Sequence, residues 1–124
     1  DVLIVNRERG AGARDLLDRW LTAAGVAPKD VEGYQRELSG HQEVAQAVAL
    51  GAADVGIAHA GAAAAFGLSF WPLADEVCEL VLGEEALTSP PALAMLDVLR
   101  SGAFRADLSA FGPYDTARTG DLVV

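Results

Sequence analysis

The chain has 124 residues, 52% of them hydrophobic and 22% charged, with a formal net charge of -9 and a pI near 4.4. That length limits it to one domain with a true core, and the composition excludes intrinsic disorder. The acidic balance opposes the counterion release that drives nucleic-acid binding, and no apolar run reaches the ~20 residues that membrane insertion requires.

Residues 2–5 form a continuous β-branched and leucine run, the pattern of a strand covered on both faces. After a turn with two glycines, Leu16, Leu17, Trp20, Leu21 and Ala24 fall on one helical face and predict an amphipathic helix over 13–24, closed by Gly25. "APKD" reads as a loop, 31–38 as a short, partly exposed strand, and 41–50 as a second helix stopped by Gly51. Residues 54–58 read as a short buried strand, and "GAAAAFGL" as a small-residue helix anchored by Phe66.

"LSFWPLA" and "DEVCELVL" are two extended runs, and Pro72 makes the first an edge or bent strand. Ser89, Pro90 and Pro91 open a helix over 92–100, with Ser89 as its cap, and a last helix is expected near 104–108. This alternation predicts an α/β fold, a mostly parallel sheet with helices on both faces. Much of the apolar fraction is alanine, so the expected core anchors are Trp20, Phe66, Phe70, Trp71, Phe104 and Phe111.

The segment with most chemical content is "VLIVNRERGAGARDLLDRWL", a buried strand running through a polar turn into a helix. Ligands of open α/β sheets bind outside the carboxyl ends of strands, and a helix N-terminus carries about half a positive charge. Gly10 and Gly12 free the backbone amides there, while Arg7, Arg9 and Arg14 place three guanidinium groups close together in an acidic chain. The expectation is an oxyanion or carboxylate clamp. The plainer alternative is that these arginines pair with Glu8, Asp15 and Asp18. A nucleotide-hydrolase phosphate loop is rejected because its Gly-Lys-Ser/Thr end is absent, and Asp15 sits where a dinucleotide fingerprint needs its third glycine.

No triad, metal set or nucleotide loop is present in the sequence, so no catalysis and no cofactor are expected. Cys78 cannot form an internal disulfide and reads as a small buried hydrophobe. One cysteine suits a reduced, cytoplasmic setting, with a periplasmic one left open because Asp1 reads as the interior of a longer polypeptide.

"NRERGAGARDLLDRWL", "GYQREL", "GHQEVAQAVALGAADVGIA", "AAAFGLSFWPLADEVCELVL" and "GPYDTARTGDLV" together resemble the periplasmic-binding-protein-like domains found beside molybdopterin-biosynthesis and molybdate-responsive regulator modules. The resemblance implies one lobe of a two-lobed type II solute-binding fold. Residues 1–82 would form the second lobe and 89–124 a returning helical tail, with a first lobe supplied from upstream or a second copy of the chain completing the cleft. It further implies a small anionic ligand of the molybdate or tungstate type. The family's serine and threonine are replaced by Ala11 and Ala13, and its tyrosine near Cys78 is missing, which leaves Asn6, Arg7, Arg9, Gly10, Ala11, Gly12, Ala13 and Arg14 as the site. His41 and His59 join this candidate set, His41 at the start of a helix where the resemblance implies a cleft-facing histidine, His59 at the carboxyl end of a strand. A lobe separated from its partner exposes apolar surface, so the isolated chain is expected to form homo-oligomers.

Overall fold

The computed structural model describes residues 2–123, which divide into two compact units, 2–70 and 71–123. The first is an α/β unit whose three strands, β1 (Ile4–Arg7), β2 (Glu37–Leu38) and β3 (Val55–Gly56), make a parallel sheet in the order β2-β1-β3. Asn6 pairs with Glu37 on one side of β1, and Val5 with Gly56 on the other. Helix α1 (Gly12–Ala23) connects β1 to β2, and α2 (His41–Ala49) connects β2 to β3. The two connections run in opposite directions along the sheet, so right-handed crossovers put α1 and α2 on opposite faces. Helix α3 (Ala60–Ala65) follows β3.

The periodicity places α1 and α2 to within a residue or two at either end, and Gly25 and Gly51 terminate them with positive φ of 67° and 73°. The expected strand over 31–38 shrinks to two residues, and "APKD" contains a 3-10 turn at Pro28–Asp30. The reason for the shortening is a tight approach at Gly33, where φ is 87° and an added Cβ would run into the carbonyl of Ile4. The chain turns there against β1, and the Arg36 amide donates back to the Gly33 carbonyl at 2.8 Å, so pairing with β1 resumes as a ladder only at Glu37.

The core differs from expectation in composition. Val5, Val44 and Ala53 form its buried centre, with Leu38, Ala47, Val48 and Ala58 packed around them. Trp20, Phe66, Phe70, Trp71 and Phe111 are exposed, and Phe104 is only half-buried. Small residues make the close approach possible: a Cβ on Gly56 would collide with Val44 and Val5, so α2 rests directly on β1 and β3.

One polar cluster ties α1 to this sheet. The Arg14 side chain is 4% exposed, with its guanidinium 4.6 Å above the ring centre of Tyr34. It donates to the Arg7 carbonyl at 3.1 Å and to Glu37 at 2.5 Å, while the Tyr34 hydroxyl donates to Asp18 at 2.8 Å. Burial opposes the charge on Arg14, but its contacts with Tyr34 and Glu37 more than offset that cost and leave its pKa raised.

In residues 71–124, α4 (Glu84–Leu87), α5 (Pro90–Arg100) and α6 (Gly102–Phe111) form in sequence, and α5 packs on α6. Ser89 and Ser101 accept from the amides of Ala92 and Phe104, the first as anticipated from the Ser-Pro-Pro start. Neither "LSFWPLA" nor "DEVCELVL" forms a strand, because the ladder contains only β2, β1 and β3 and an extended run without a partner leaves its amides to water. Cys78 in that run is exposed rather than buried. The "GPYDTARTGDLV" tail has a packing role: Arg105 donates to the Thr119 carbonyl at 3.0 Å and Arg100 to that of Gly120 at 2.9 Å. No helix among the described residues is long and apolar enough to cross a membrane.

Replacing Arg14 by alanine removes the cation–π contact and strands Glu37 and the Arg7 carbonyl. Because Glu37 and Asp18 are partly solvated, the expected loss is roughly 2–3 kcal/mol rather than the larger cost of breaking a dry ion pair. Arg9→Ala should cost less than about 0.5 kcal/mol. Urea unfolding of both variants checks the contrast.

Candidate functional site

All three strands end at the same edge of the sheet, and each hands the chain to a helix that starts there. This carboxyl edge gathers most of the residues singled out from sequence, but it uses them in different ways. Asn6 is buried, donating from Nδ2 to the Tyr34 carbonyl at 3.2 Å and accepting from the Arg7 amide at 2.9 Å. Arg14 is spent in the Tyr34 cluster. Both side chains are taken up by partners within the chain.

Arg7 and Arg9 complete the pairing pattern. Arg7 donates through Nε and Nη2 to Glu8 at 2.8 and 3.0 Å, and through Nη2 to the Ser39 carbonyl at 3.2 Å. The Arg9 guanidinium is 81% exposed and only 3.9 Å from Glu37, a contact too loose and too solvated to hold it. Every arginine of the expected clamp therefore has a carboxylate within ion-pair distance, with Glu8 and Asp18 among the partners anticipated and Glu37 an addition. Glu37 and Tyr34 escaped notice because "GYQREL" reads as a partly exposed strand, where both are ordinary surface residues.

The turn itself keeps its donors. Gly10 takes φ of 88°, and Ala11 occupies the N-cap of α1 in extended geometry without any side-chain cap. The Arg14 and Asp15 amides donate to the Ala11 carbonyl, which leaves the Gly12 and Ala13 amides as the first-turn donors of α1. A shallow depression of about 200 Å³ beside this turn, lined by Arg9, Gly10, Arg14, Asp15, Asp18 and Tyr34, carries two carboxylates on its wall and is unsuited to an anion.

His41 and His59, 18 positions apart in the chain, meet at the same edge. His41 opens α2 and His59 caps α3, with ring centres 4.6 Å apart and planes tilted by 48°. The His59 amide donates to His41 Nδ1 at 3.3 Å, and the Ala62 amide donates to His59 Nδ1 at 3.0 Å. Among the described residues no group of three His, Cys, Asp or Glu side chains could hold a metal ion.

The Arg7 hydrogen bonds, helped by a backbone bond of its own, pull the Glu8 carboxyl from its ordinary 4.5 down to about 2. A depressed carboxylate contributes stability that is fully present above pH 4.5 and is lost as pH falls through 2. A carbon-detected NMR titration should give a Glu8 midpoint near 2 in this chain, moving back toward 4.5 in Arg7→Gln. A Glu8 midpoint unchanged by that substitution would refute the pairing.

Comparison with known proteins fits this architecture. The family model described as a PBP superfamily domain matches residues 1–100. The uncharacterized protein YvgK of Bacillus subtilis (strain 168) is 38% identical over 127 aligned positions, which cover all of this chain and 40% of that protein. An uncharacterized protein encoded in the 5' region of the 2Fe-2S ferredoxin gene of Clostridium pasteurianum is 34% identical over 109 positions, covering 87% of this chain and 96% of that protein. The chain thus spans about two fifths of the Bacillus protein and nearly all of the clostridial one. No solved structure matches the chain. With the family model covering most of its length and a parallel α/β sheet beneath it, the chain belongs to the PBP-like domain family.

Proposed function

We propose that this chain is a non-catalytic binding lobe that takes a small oxyanion of the molybdate or tungstate type at the carboxyl edge of the β2-β1-β3 sheet. The observation that carries the reading is that the uncapped first turn of α1 and the His41–His59 pair, at the starts of α2 and α3, all open at this one edge. Backbone amides suit a tetrahedral oxyanion because they donate without bringing a counter-charge that must be desolvated. Arg9, held by nothing firmer than a 3.9 Å contact, is the guanidinium able to swing toward such a ligand, while Asn6, Arg7 and Arg14 hold the frame. In the fuller reading, 1–82 is the second lobe of a two-lobed cleft and 89–124 its returning tail. A first lobe or another copy of the chain then covers the ligand, in a protein serving molybdenum-cofactor synthesis or molybdate-dependent regulation. The greater length of the Bacillus relative is consistent with this.

A ligand at 100 times its dissociation constant stabilises a domain by about 2.7 kcal/mol, and each kcal/mol moves the midpoint of a small domain by roughly 4–8 °C. Thermal-shift measurements with molybdate, tungstate and sulfate should give small shifts for this chain and larger ones when a first lobe is supplied in the same polypeptide. Arg9→Ala should weaken the response without moving the ligand-free midpoint. Absence of any oxyanion response in the two-lobed protein would overturn the reading.

A second reading, a protein-interaction domain with a vestigial cleft, is favoured by the exposed run 71–82, where Trp71 is 83% and Val81 94% exposed. Both readings predict that the isolated chain associates through this surface. Sedimentation at high micromolar concentration should show dimers or larger species, dispersed by Trp71→Ser with Val81→Ser; a clean monomer of the unsubstituted chain would refute it.

A further inference from the structure

The histidine pair has a hydrogen-bond polarity that decides which ligands it can serve. Ala62 N–H points at His59 Nδ1 at 3.0 Å, and His59 N–H points at His41 Nδ1 at 3.3 Å. A ring nitrogen that accepts from an amide carries no hydrogen, so each neutral imidazole bears its hydrogen on Nε2. The two bonds form a chain running from α3 through His59 to the first residue of α2, which fixes both tautomers from the backbone. Neither amide can reverse its role, since a backbone N–H only donates.

Resting on the oxyanion reading above, we infer that His59 is a ligand-contacting hydrogen-bond donor, that His41 is its positioning residue, and that the pair selects oxygen-acceptor ligands and rejects divalent metal ions. A metal-bound imidazole presents its lone pair on one nitrogen and donates N–H from the other, usually to a carboxylate or carbonyl. Metal on Nε2 of either ring would move the hydrogen to Nδ1 and set it against an amide N–H, breaking the Ala62 or the His59 bond. Two close histidines, the commonest signal of a transition-metal site, are here wired in the opposite sense. His59 is exposed and follows β3 at the carboxyl edge of the sheet, and with Nδ1 taken by Ala62 its Nε2–H is the ring donor left for a ligand. The Ala62 amide is occupied by His59, so the donor this side of the site offers is the imidazole and not the start of the short α3.

The test uses the 124-residue chain, with the two-lobed protein as a second sample, and long-range proton–nitrogen NMR of the histidine rings at alkaline pH. Both rings should report the Nε2–H tautomer without ligand. Sodium molybdate should shift His59 Nε2 most, and zinc chloride at the same concentration should leave both rings unmoved. His41→Ala should leave the His59 tautomer, set by Ala62, in place but release the His59 amide and weaken molybdate binding, whereas His41→Asn, which keeps an acceptor for that amide, should restore binding. His59→Ala should weaken molybdate binding about tenfold, the effect of one lost hydrogen bond to a charged group. An Nδ1–H tautomer in either ring, zinc binding to Nε2, or molybdate binding that leaves His59 Nε2 unmoved overturns the inference while the oxyanion reading stands. Intact Nε2–H tautomers with no response to molybdate, tungstate or sulfate in either sample sinks the oxyanion reading itself, and the ligand role of His59 with it.

Discussion

The Arg14 guanidinium, pressed on the Tyr34 ring and bonded to Glu37 and the Arg7 carbonyl, is the constraint on which the rest of the first unit depends. It reaches from α1 to the last residue of β1, to the first residue of β2, and to the loop that turns at Gly33. A two-residue strand has little ladder of its own, and its position beside β1 is held by side chains as much as by amides. Once Arg14 has that task, the start of α1 is anchored to the strand end, and the Gly12 and Ala13 amides are fixed at the sheet edge. In the proposed reading the arginine positions the receptor without being part of it.

This division of labour has an electrostatic consequence. With Arg7 and Arg14 committed to carboxylates in a chain of net charge -9, little free positive charge remains to draw an anion from a distance. In the proposed binding mode capture rests mainly on short-range donors, the amides of α1 and an imidazole beside Arg9, whose strength rises as water is excluded from around them. The long-range field of an acidic chain repels an anion and is screened beyond roughly 10 Å at 0.1 M salt. Added salt then weakens the repulsion more than the directed hydrogen bonds, so binding of this kind tolerates ionic strength, unlike a site built on exposed arginines.

The elements legible in the sequence were those whose signal is local. The apolar face of α1, the Ser-Pro-Pro start of α5 and the glycine stops after α1 and α2 depend on neighbours within a few residues, and the structure reproduces them. Strands were legible only where a partner exists: the strand expected at 2–5 forms two residues later, at Ile4–Arg7, with β2 and β3 on its two sides, while "DEVCELVL" has strong β propensity and no ladder. Aromatic size misled because the close approach of α2 to the sheet at Gly56 leaves room for valine and alanine, not for Phe or Trp. At the carboxyl edge the clustering of the candidate positions was legible and their pairing partners were not. Asn6 and Arg14 have the right chemistry for a ligand, and only the fold shows that Tyr34 and Glu37 claim it first. The meeting of His41 with His59 is a contact across 18 positions, set by β2 and β3 flanking β1, and no local pattern encodes it.

Residues 71–123 pose the complementary problem. Among the described residues of that unit Ala92 alone is buried, although Trp71, Val77, Leu80, Val81 and Leu93 are all large and apolar. A unit of that size ordinarily hides more than half of the surface its chain could expose, and three helices with serine caps and two arginine clasps on the tail cannot substitute for an apolar core. Its secondary structure is locally specified, so the helices form while their large apolar side chains stay exposed. Strand-forming residues at 75–82 without a ladder carry the same message in backbone terms, since unpaired amides and carbonyls beside exposed Val77 and Val81 are the template on which another strand adds.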